Sequence, residues 1–279
     1  MCNKKLLYML IIVPDSRSPN MREVSRSGAF FIYLKRKENM GKTAIMIDGG
    51  FYRKQANYLF GEKTPKQRAD ELMEYCHRHL KESRGKGTSP IYKDLYRIFY
   101  YDCYPSEKTV YNPLTQRSVC LKNSKLYGWS NDFFDELSKK RKVALRMGEL
   151  LESSAGYVLK QDVLKKLCRK EITIDDLTDN DFQLDIQQKG VDMRIGLDIA
   201  SLAHKGLVDQ IVLIAGDSDF VPAAKYARRE GIDFILDPMW HTIKPNLNIH
   251  IDGLNQRSPK PSHRTSDSLH ISHISLETK

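Results

Sequence analysis

Four aspartates in three short motifs have the residue type and spacing for metal-assisted chemistry. Asp48 stands in IMIDGGF, Asp192 in KGVDMR, and Asp217 and Asp219 in IAGDSDF. Carboxylates gathered in one crevice repel one another, and a hard divalent cation relieves that repulsion. Mg²⁺ and Mn²⁺ favour carboxylate oxygens and water as ligands, and such an ion activates water and neutralises charge that develops on a phosphate. If the fold gathers them, the four acids predict a metal site for phosphate chemistry.

Each acid taken alone also has a structural explanation. Asp219 could cap the helix predicted to begin near Val221, and Asp48 could bond turn amides in the sequence DGG. Asp192 could be an acid of the first helical turn, where the helix dipole favours negative charge. These separate explanations are less convincing when the four acids are considered together, because they do not account for several carboxylates at one edge of the fold.

Apolar strands and amphipathic helices alternate along the chain between these motifs. The spacing predicts strands at 43–47, 95–102, 142–150, 210–216 and 232–237, with 247–252 as a candidate for a last strand. It predicts helices from about 51 and at 67–83, 130–141, 191–206 and 221–230. This alternation indicates an α/β fold with three layers, in which helices cover both faces of a central, mainly parallel sheet.

The carboxyl ends of the strands are the place where such a sheet binds ligands, at the point where the strand order reverses. Asp48 ends the first predicted strand and Asp217 follows the fourth. If these two strands lie side by side, as in the common order, the two acids become neighbours. A helix that starts after Gly190 should bring Asp192 to the same edge. Asp198 lies about 240° farther round an ideal helix and should point elsewhere.

Three segments of the sequence resemble the NYN branch of the PIN-like nucleases, the bacterial LabA/DUF88 group: AIMIDGGFYRK, QQKGVDMRIGLDIASLA and IVLIAGDSDFVPAAKYARREGIDFILDP. The resemblance covers about residues 42–252. It implies a PIN-like, Rossmannoid fold and metal-dependent hydrolysis of RNA by water. The catalytic and metal-binding residues that it implies are Asp48, Asp192, Asp217 and Asp219. Many NYN proteins have a polar residue just after the first Asp-Gly, where Gly50 and Phe51 stand here.

Four more residues are candidates for substrate binding. Lys189 precedes the turn at Asp192 and could hold a phosphate, or it could be an ordinary solvated lysine. Arg53 and Lys54 follow the first Asp-Gly turn and could follow the RNA backbone. Ser218 could donate to a metal-bound water or cap the following helix.

Residues near the end of the second strand offer a further option. Tyr100, Tyr101 and Tyr104 could stack on bases, although the alternation of faces along a strand should bury at least one of them. Asp102 could join the acid site, but a turn role is favoured.

The composition agrees with a polyanionic partner. The 279 residues carry a formal net charge of +10, which favours RNA over neutral partners. The five cysteines show no CxxC spacing, so a reducing, cytoplasmic location is expected. No apolar run reaches the roughly 20 residues needed to span a bilayer, and no membrane partner is expected. A homo-oligomer stays possible.

Both ends of the chain differ from the middle in composition. Residues 1–39 are predicted to be a poorly structured extension, residues 40–255 the nuclease domain with an insertion at about 150–188, and residues 256–279 a disordered tail rich in Ser, Pro and His.

Three functions compete at this level. The leading one is a Mg²⁺- or Mn²⁺-dependent ribonuclease. The alternative is a non-catalytic RNA-binding or regulatory module with the same fold, against which the four intact acids argue. A phosphatase or nucleotide-binding protein is disfavoured, because the chain contains neither GxGxxG nor GxxxxGK[ST].

Overall fold

A computed structural model describes residues 41–82 and 90–261. The predicted extension at 1–39 and most of the predicted tail lie outside the described residues. The strands are β1 (Lys42–Asp48), β2 (Lys81–Glu82), β3 (Ile91–Tyr92), β4 (Asp94–Cys103), β5 (Thr109–Asn112), β6 (Arg117–Cys120), β7 (Val143–Leu159), β8 (Phe182–Lys189), β9 (Gln210–Ile214), β10 (Asp233–Asp237) and β11 (Gly253–Leu254). The α-helices are α1 (Gly49–Phe60), α2 (Pro65–Leu80), α3 (Lys125–Ser138), α4 (Gln161–Cys168), α5 (Val191–His204), α6 (Val221–Arg229) and α7 (Pro245–Asn248).

A central sheet of seven strands organises the described residues, in the order β11-β10-β9-β1-β4-β7-β8. Its strands run parallel except for β8, which pairs antiparallel with β7 at one edge. The predicted α/β class and the mainly parallel sheet are therefore confirmed. The first and fourth predicted strands, β1 and β9, do lie side by side, with Ile47 opposite Ile214.

Two apolar layers cover the sheet. Ala44 and Met46 of β1 face the side covered by α5 and α6, whereas Ile45 and Ile47 face the side covered by α1, α2 and α3. All four side chains are fully buried. A strand buried on both faces needs apolar residues at consecutive positions, which explains why these strands are unbroken apolar runs in the sequence.

The end of the fold departs from the prediction. Residues 247–252 do not form a strand: α7 occupies Pro245–Asn248, and the edge strand β11 comes later. Pro245 stands at the first position of α7, where its missing N–H costs nothing. Residues 150–188 form the rest of β7, α4 and β8, and so extend the sheet. No helix in the described ranges is long and apolar enough to cross a membrane.

Candidate active site

Four aspartates occupy the carboxyl-end edge of the central strands, and we call this set the acid edge: Asp48, Asp192, Asp217 and Asp219. Asp48 ends β1 and caps α1, accepting a hydrogen bond from the Phe51 N–H at 3.1 Å. Asp192 lies in the first turn of α5, which starts after Gly190 in a left-handed conformation (φ 80°). Asp217 and Asp219 follow β9, and Asp217 accepts from the Asp219 N–H at 3.2 Å.

Asp192 links the acid edge electrostatically. Partial burial raises the pKa of Asp192, and the nearby Asp217 and Asp219 carboxylates raise it further. Burial also raises the pKa of Asp48 to about 6; the Phe51 amide opposes this, while Asp192 and Asp102 add to it. Asp192 therefore lies within electrostatic reach of the other three carboxylates, which repel one another as the sequence predicts.

The acid edge fits a hard cation in its chemistry, but it is not a preformed cage. Within the described residues, none of its four carboxylates forms an ion pair. Across residues 41–82 and 90–261, no group of three or more His, Cys, Asp or Glu side chains is arranged to hold a metal ion. Mg²⁺ commonly binds through one or two carboxylates and several waters, so the donor types suit it.

Behind the acid edge, Asp102 is the centre of a buried hydrogen-bond network rather than a turn residue. It accepts from Arg53 at 3.1 Å and from the Tyr100 hydroxyl at 3.2 Å, and its side chain is fully buried. Arg53 also donates to Ser130 at 3.1 Å. The predicted substrate ligand Arg53 is thus already engaged in an ion pair that ties α1 to β4 and α3.

The two partners of this ion pair have pKa values that reflect both burial and attraction. Burial raises the pKa of Asp102, and Arg53 opposes that rise. Burial lowers the pKa of Arg53, but the Asp102 carboxylate outweighs burial and leaves it raised. Both groups are charged, because an arginine keeps its proton and its nearest acid faces it directly.

The edge strand β8 brings Gln188 towards Asp48. Gln188 Nε2 lies 3.4 Å from Asp102 Oδ1. Its Oε1 atom lies 3.8 Å from where a Cβ on Gly50 would stand, and Asp48 Oδ1 lies 3.6 Å from the same point. The next residue, Lys189, is an exposed lysine at the end of β8, compatible with its predicted role. Sequence reasoning missed Gln188, since only the pairing of β7 with β8 reveals it.

One lysine contacts the loop that carries Asp217 and Asp219, and a second lies near His241. Ser218 accepts a hydrogen bond from Lys244 Nζ at 3.1 Å, a partner that the sequence did not suggest. Lys54 is exposed on α1 and close enough to His241 to influence it. Burial lowers the pKa of His241, and the positive charge of Lys54 lowers it further. The imidazole is therefore neutral at pH 7.

Two of the three candidate tyrosines are buried, where strand alternation predicted this for at least one. Tyr100 and Tyr101 are fully buried and cannot stack on a base, whereas Tyr104 is 54% exposed. The Tyr101 hydroxyl donates to Asp198 at 2.9 Å, and Arg146 makes two hydrogen bonds to the same carboxylate, at 2.8 and 2.6 Å. Asp198 is thus engaged by these two side chains, away from Asp192, as helical geometry predicts.

Comparison with known proteins supports the resemblance. Residues 131–241 match the NYN domain family, a range that contains Asp192, Asp217 and Asp219 but not Asp48. No curated protein matches the chain. A crystal structure of a protein of unknown function from Vibrio parahaemolyticus RIMD 2210633 is 13% identical, with 80% of this chain and 96% of that chain covered, at a TM-score of 0.38. A likeness this low carries no functional argument. The LabA/DUF88 assignment stays a prediction. The match over residues 131–241 is consistent with an NYN domain of the PIN-like nuclease superfamily in this part of the chain.

Proposed function

We propose that this protein is a metal-dependent ribonuclease that hydrolyses RNA phosphodiester bonds at the acid edge. The observation that carries the proposal is the gathering of Asp192 with three other carboxylates at the point where the strand order reverses. These acids have no cationic side chain to balance them among the described residues. The NYN domain supports the reaction class, because NYN domains are generally nucleases.

Mg²⁺ or Mn²⁺ is the proposed cofactor, held by Asp48, Asp192, Asp217 and Asp219. When bound, such an ion supplies a nucleophilic water at neutral pH and neutralises charge on the phosphate. The carboxylates repel one another without it, so their own chemistry favours a divalent cation over an empty site. Among the residues that the structure describes, Asp217 accepts only from a backbone amide at 3.2 Å, which leaves its second oxygen available.

The protein's part in the proposed reaction is to hold these carboxylates on rigid elements. Asp48 is fixed between β1 and α1, and Asp102 with Arg53 stiffens the backbone behind it. Gly49 permits this arrangement, because a Cβ there would lie 2.6 Å from Asp102 Oδ2. A site built on strand ends keeps its groups in place better than one built on free loops.

RNA is the proposed substrate because exposed lysines lie on segments next to the acids. Lys244 donates to Ser218, Lys189 ends the strand before α5, Lys54 lies on α1, and the whole chain has a formal net charge of +10. Lysine–phosphate attraction supplies most of the non-specific affinity for nucleic acid. The choice of RNA over DNA rests on the resemblance to NYN nucleases. We also propose a cytoplasmic location, supported by free thiols at Cys76, Cys103, Cys120 and Cys168.

A non-catalytic RNA-binding module is the second candidate. It is favoured by one observation: within the described ranges, no three ligating side chains converge on a metal position. The two functions differ in turnover rather than in binding.

One assay separates the two functions. Single-stranded RNA and DNA of the same sequence would be incubated with the protein in Mg²⁺, in Mn²⁺ and in EDTA. We expect RNA cleavage that needs the metal. Cleavage that persists after thorough chelation would contradict the metal mechanism. RNA binding without turnover in either metal would establish the non-catalytic module instead.

A further inference from the structure

The segment 238–244, which we call the arm, follows β10 and begins from a buried anchor. Asp237 ends β10 and is fully buried. Its carboxylate accepts from the Tyr75 hydroxyl at 2.5 Å and from the Met239 N–H at 2.8 Å, and His79 Nε2 lies 2.8 Å away. Three groups from α2 and the arm itself therefore fix the direction in which the chain leaves the sheet.

The arm has an unusual backbone that its neighbours hold in place. Met239 and Trp240 both have positive φ angles, 46° and 66°, a region that non-glycine residues seldom adopt. Gln55 of α1 donates to the Met239 carbonyl at 3.0 Å, and the Trp240 indole donates to the Ser258 carbonyl at 3.1 Å. Such strain persists only where surrounding contacts enforce it, and it is concentrated at functional sites.

This backbone places two side chains of the arm against the acid-edge loop. The His241 ring meets the edge of Phe51, with ring centres 5.9 Å apart. Its Cδ2 atom lies 3.0 Å from where a Cβ on Gly216 would stand, so the arm and the loop are in close contact. Farther along, Lys244 Nζ reaches Ser218 Oγ at 3.1 Å.

Lys244 touches the residue between two aspartates but pairs with neither of them. Within the described residues its side chain hydrogen-bonds only to the neutral Ser218 hydroxyl, and no carboxylate lies within ion-pair distance of Nζ. Its positive charge is therefore not balanced by a direct partner, and Asp217 and Asp219 are not occupied by it. A lysine in this position can bind a phosphate, and the two carboxylates stay free to bind a cation.

We propose that the arm is a phosphate-binding element of the active site, in which Lys244 holds a backbone phosphate of the bound RNA strand beside Ser218. Lys54, an exposed lysine of α1 near His241, contacts a second phosphate of the same strand. His241 offers a neutral ring against which a sugar or base can lie. This inference rests on the proposed function, because it assigns the residues that orient the strand at the same acid edge.

Binding without cleavage tests the arm directly. Affinity for a fluorescent single-stranded RNA would be measured in EDTA, over a range of salt concentrations, for wild type and Lys244→Gln. We expect binding about tenfold weaker and a salt slope smaller by about 0.7, which is the loss of one phosphate contact on a single strand. Lys244→Arg should restore most of the affinity. Thermal melts would verify that each variant is folded.

Lys225→Gln is the matched control. Lys225 is also exposed and lines an open pocket with Gly231 and Asp233, near the start of β10 and thus at the opposite edge of the sheet. It should keep the wild-type salt slope. Equal salt slopes for wild type, Lys244→Gln and Lys225→Gln would overturn the proposal. An equal loss of RNA affinity in the two variants would also overturn it.

Cleavage kinetics separate a failure of the arm from a failure of the proposed function. With Mg²⁺, Lys244→Gln should raise KM about tenfold and leave kcat within about threefold, because a flanking phosphate is bound equally in the ground and transition states. If the wild-type protein cleaves RNA and Lys244→Gln has the same KM, only the proposed role of the arm is refuted. If Lys244→Gln changes the salt slope but the wild-type protein never cleaves RNA, the proposed nuclease activity is refuted and the arm remains an RNA-binding element.

Discussion

Asp48→Asn should make the metal-free protein more stable at neutral pH, although it removes an active-site residue. The folded protein raises the pKa of Asp48 from 3.8 to about 6, with burial as the largest cause. The folded state then binds more protons at Asp48 than the unfolded state between these two pH values. Stability due to this group therefore falls as pH rises through about 4 to 6 and stays low above that range.

The size of the effect follows from the two pKa values. At about 1.4 kcal/mol per pH unit, the ionised Asp48 costs the folded state about 3 kcal/mol at pH 7 and about 1.6 kcal/mol at pH 5. These are upper limits, because the side chain is partly exposed. Asparagine keeps the cap on the Phe51 N–H, since Asn and Asp are equally good at that position.

Urea unfolding in EDTA at pH 7 and pH 5 would measure the difference. We expect Asp48→Asn to gain free energy of unfolding at pH 7 and to gain about half as much at pH 5. A loss of stability at pH 7, or a gain that does not depend on pH, would refute the reasoning that an uncompensated charge destabilises the fold at this position.

Asp102→Asn is the matched comparison, because its carboxylate is also buried but has a cationic partner. Removing the charge leaves the Arg53 guanidinium, whose side chain is only 22% exposed, without its acid. Breaking a buried pair in this way costs about 3–5 kcal/mol. We therefore expect Asp102→Asn to be less stable than wild type at pH 7, opposite in sign to Asp48→Asn. A gain in stability for both variants would show that burial alone governs the two sites.

The other predictions concern the metal, the active site and the N-terminal residues. Asp217→Asn should stay folded and bind RNA at least as tightly as wild type, but it should not cleave RNA. Asp198→Asn, which alters the contacts to Arg146 and Tyr101, should still cleave RNA. Turnover rates and RNA affinities of both variants test this prediction, and wild-type turnover in Asp217→Asn would contradict it. Mg²⁺ affinity measured by calorimetry should weaken as pH falls below about 6, because protons compete at Asp48; a flat profile from pH 7 to 5 would contradict its role as a ligand. A chain that starts at Met40 should melt at the wild-type temperature, and a large drop would show that the preceding residues stabilise the domain.

Most of the sheet was predictable from sequence because its strands are buried on both faces. Runs such as 43–47 and 210–216 leave no alternative to buried strands between helices. The chain after β10 was not predictable in this way. The apolar residues of 247–252 suggested a strand, but Leu247 lies in α7 and Ile251 lies beyond its end, and each packs into the core separately. Short apolar segments carry little information about the element that they form.

The acid edge was predictable because each of its motifs is local, while its surroundings depend on distant pairs. Arg53 and Asp102 are 49 positions apart, and Gln188 and Asp102 are 86 apart. Lys244 reaches Ser218 across 26 positions. Nothing in the sequence near any of these residues points to its partner. Only the strand order and the path of the arm bring them together, so sequence reasoning assigned Arg53 to substrate and overlooked Lys244.

The hydrogen-bond partners of each aspartate distinguish structural carboxylates from those of the candidate active site better than sequence spacing does. Asp102, Asp198 and Asp237 stand in motifs as suggestive as those of the acid edge, yet each accepts hydrogen bonds from at least two side chains. Those partners balance or solvate the charge, and they leave it little to offer a ligand.

The members of the acid edge lack such partners. Asp48 and Asp217 accept only from backbone amides among the described residues, and the charges that shift the pKa of Asp192 are the carboxylates of Asp217 and Asp219. Unbalanced negative charge at one edge lowers the free energy of unfolding, and the binding of a cation there raises it again. The predicted gain in stability of Asp48→Asn and the predicted weakening of Mg²⁺ affinity below about pH 6 are therefore two measurements of the same uncompensated charge.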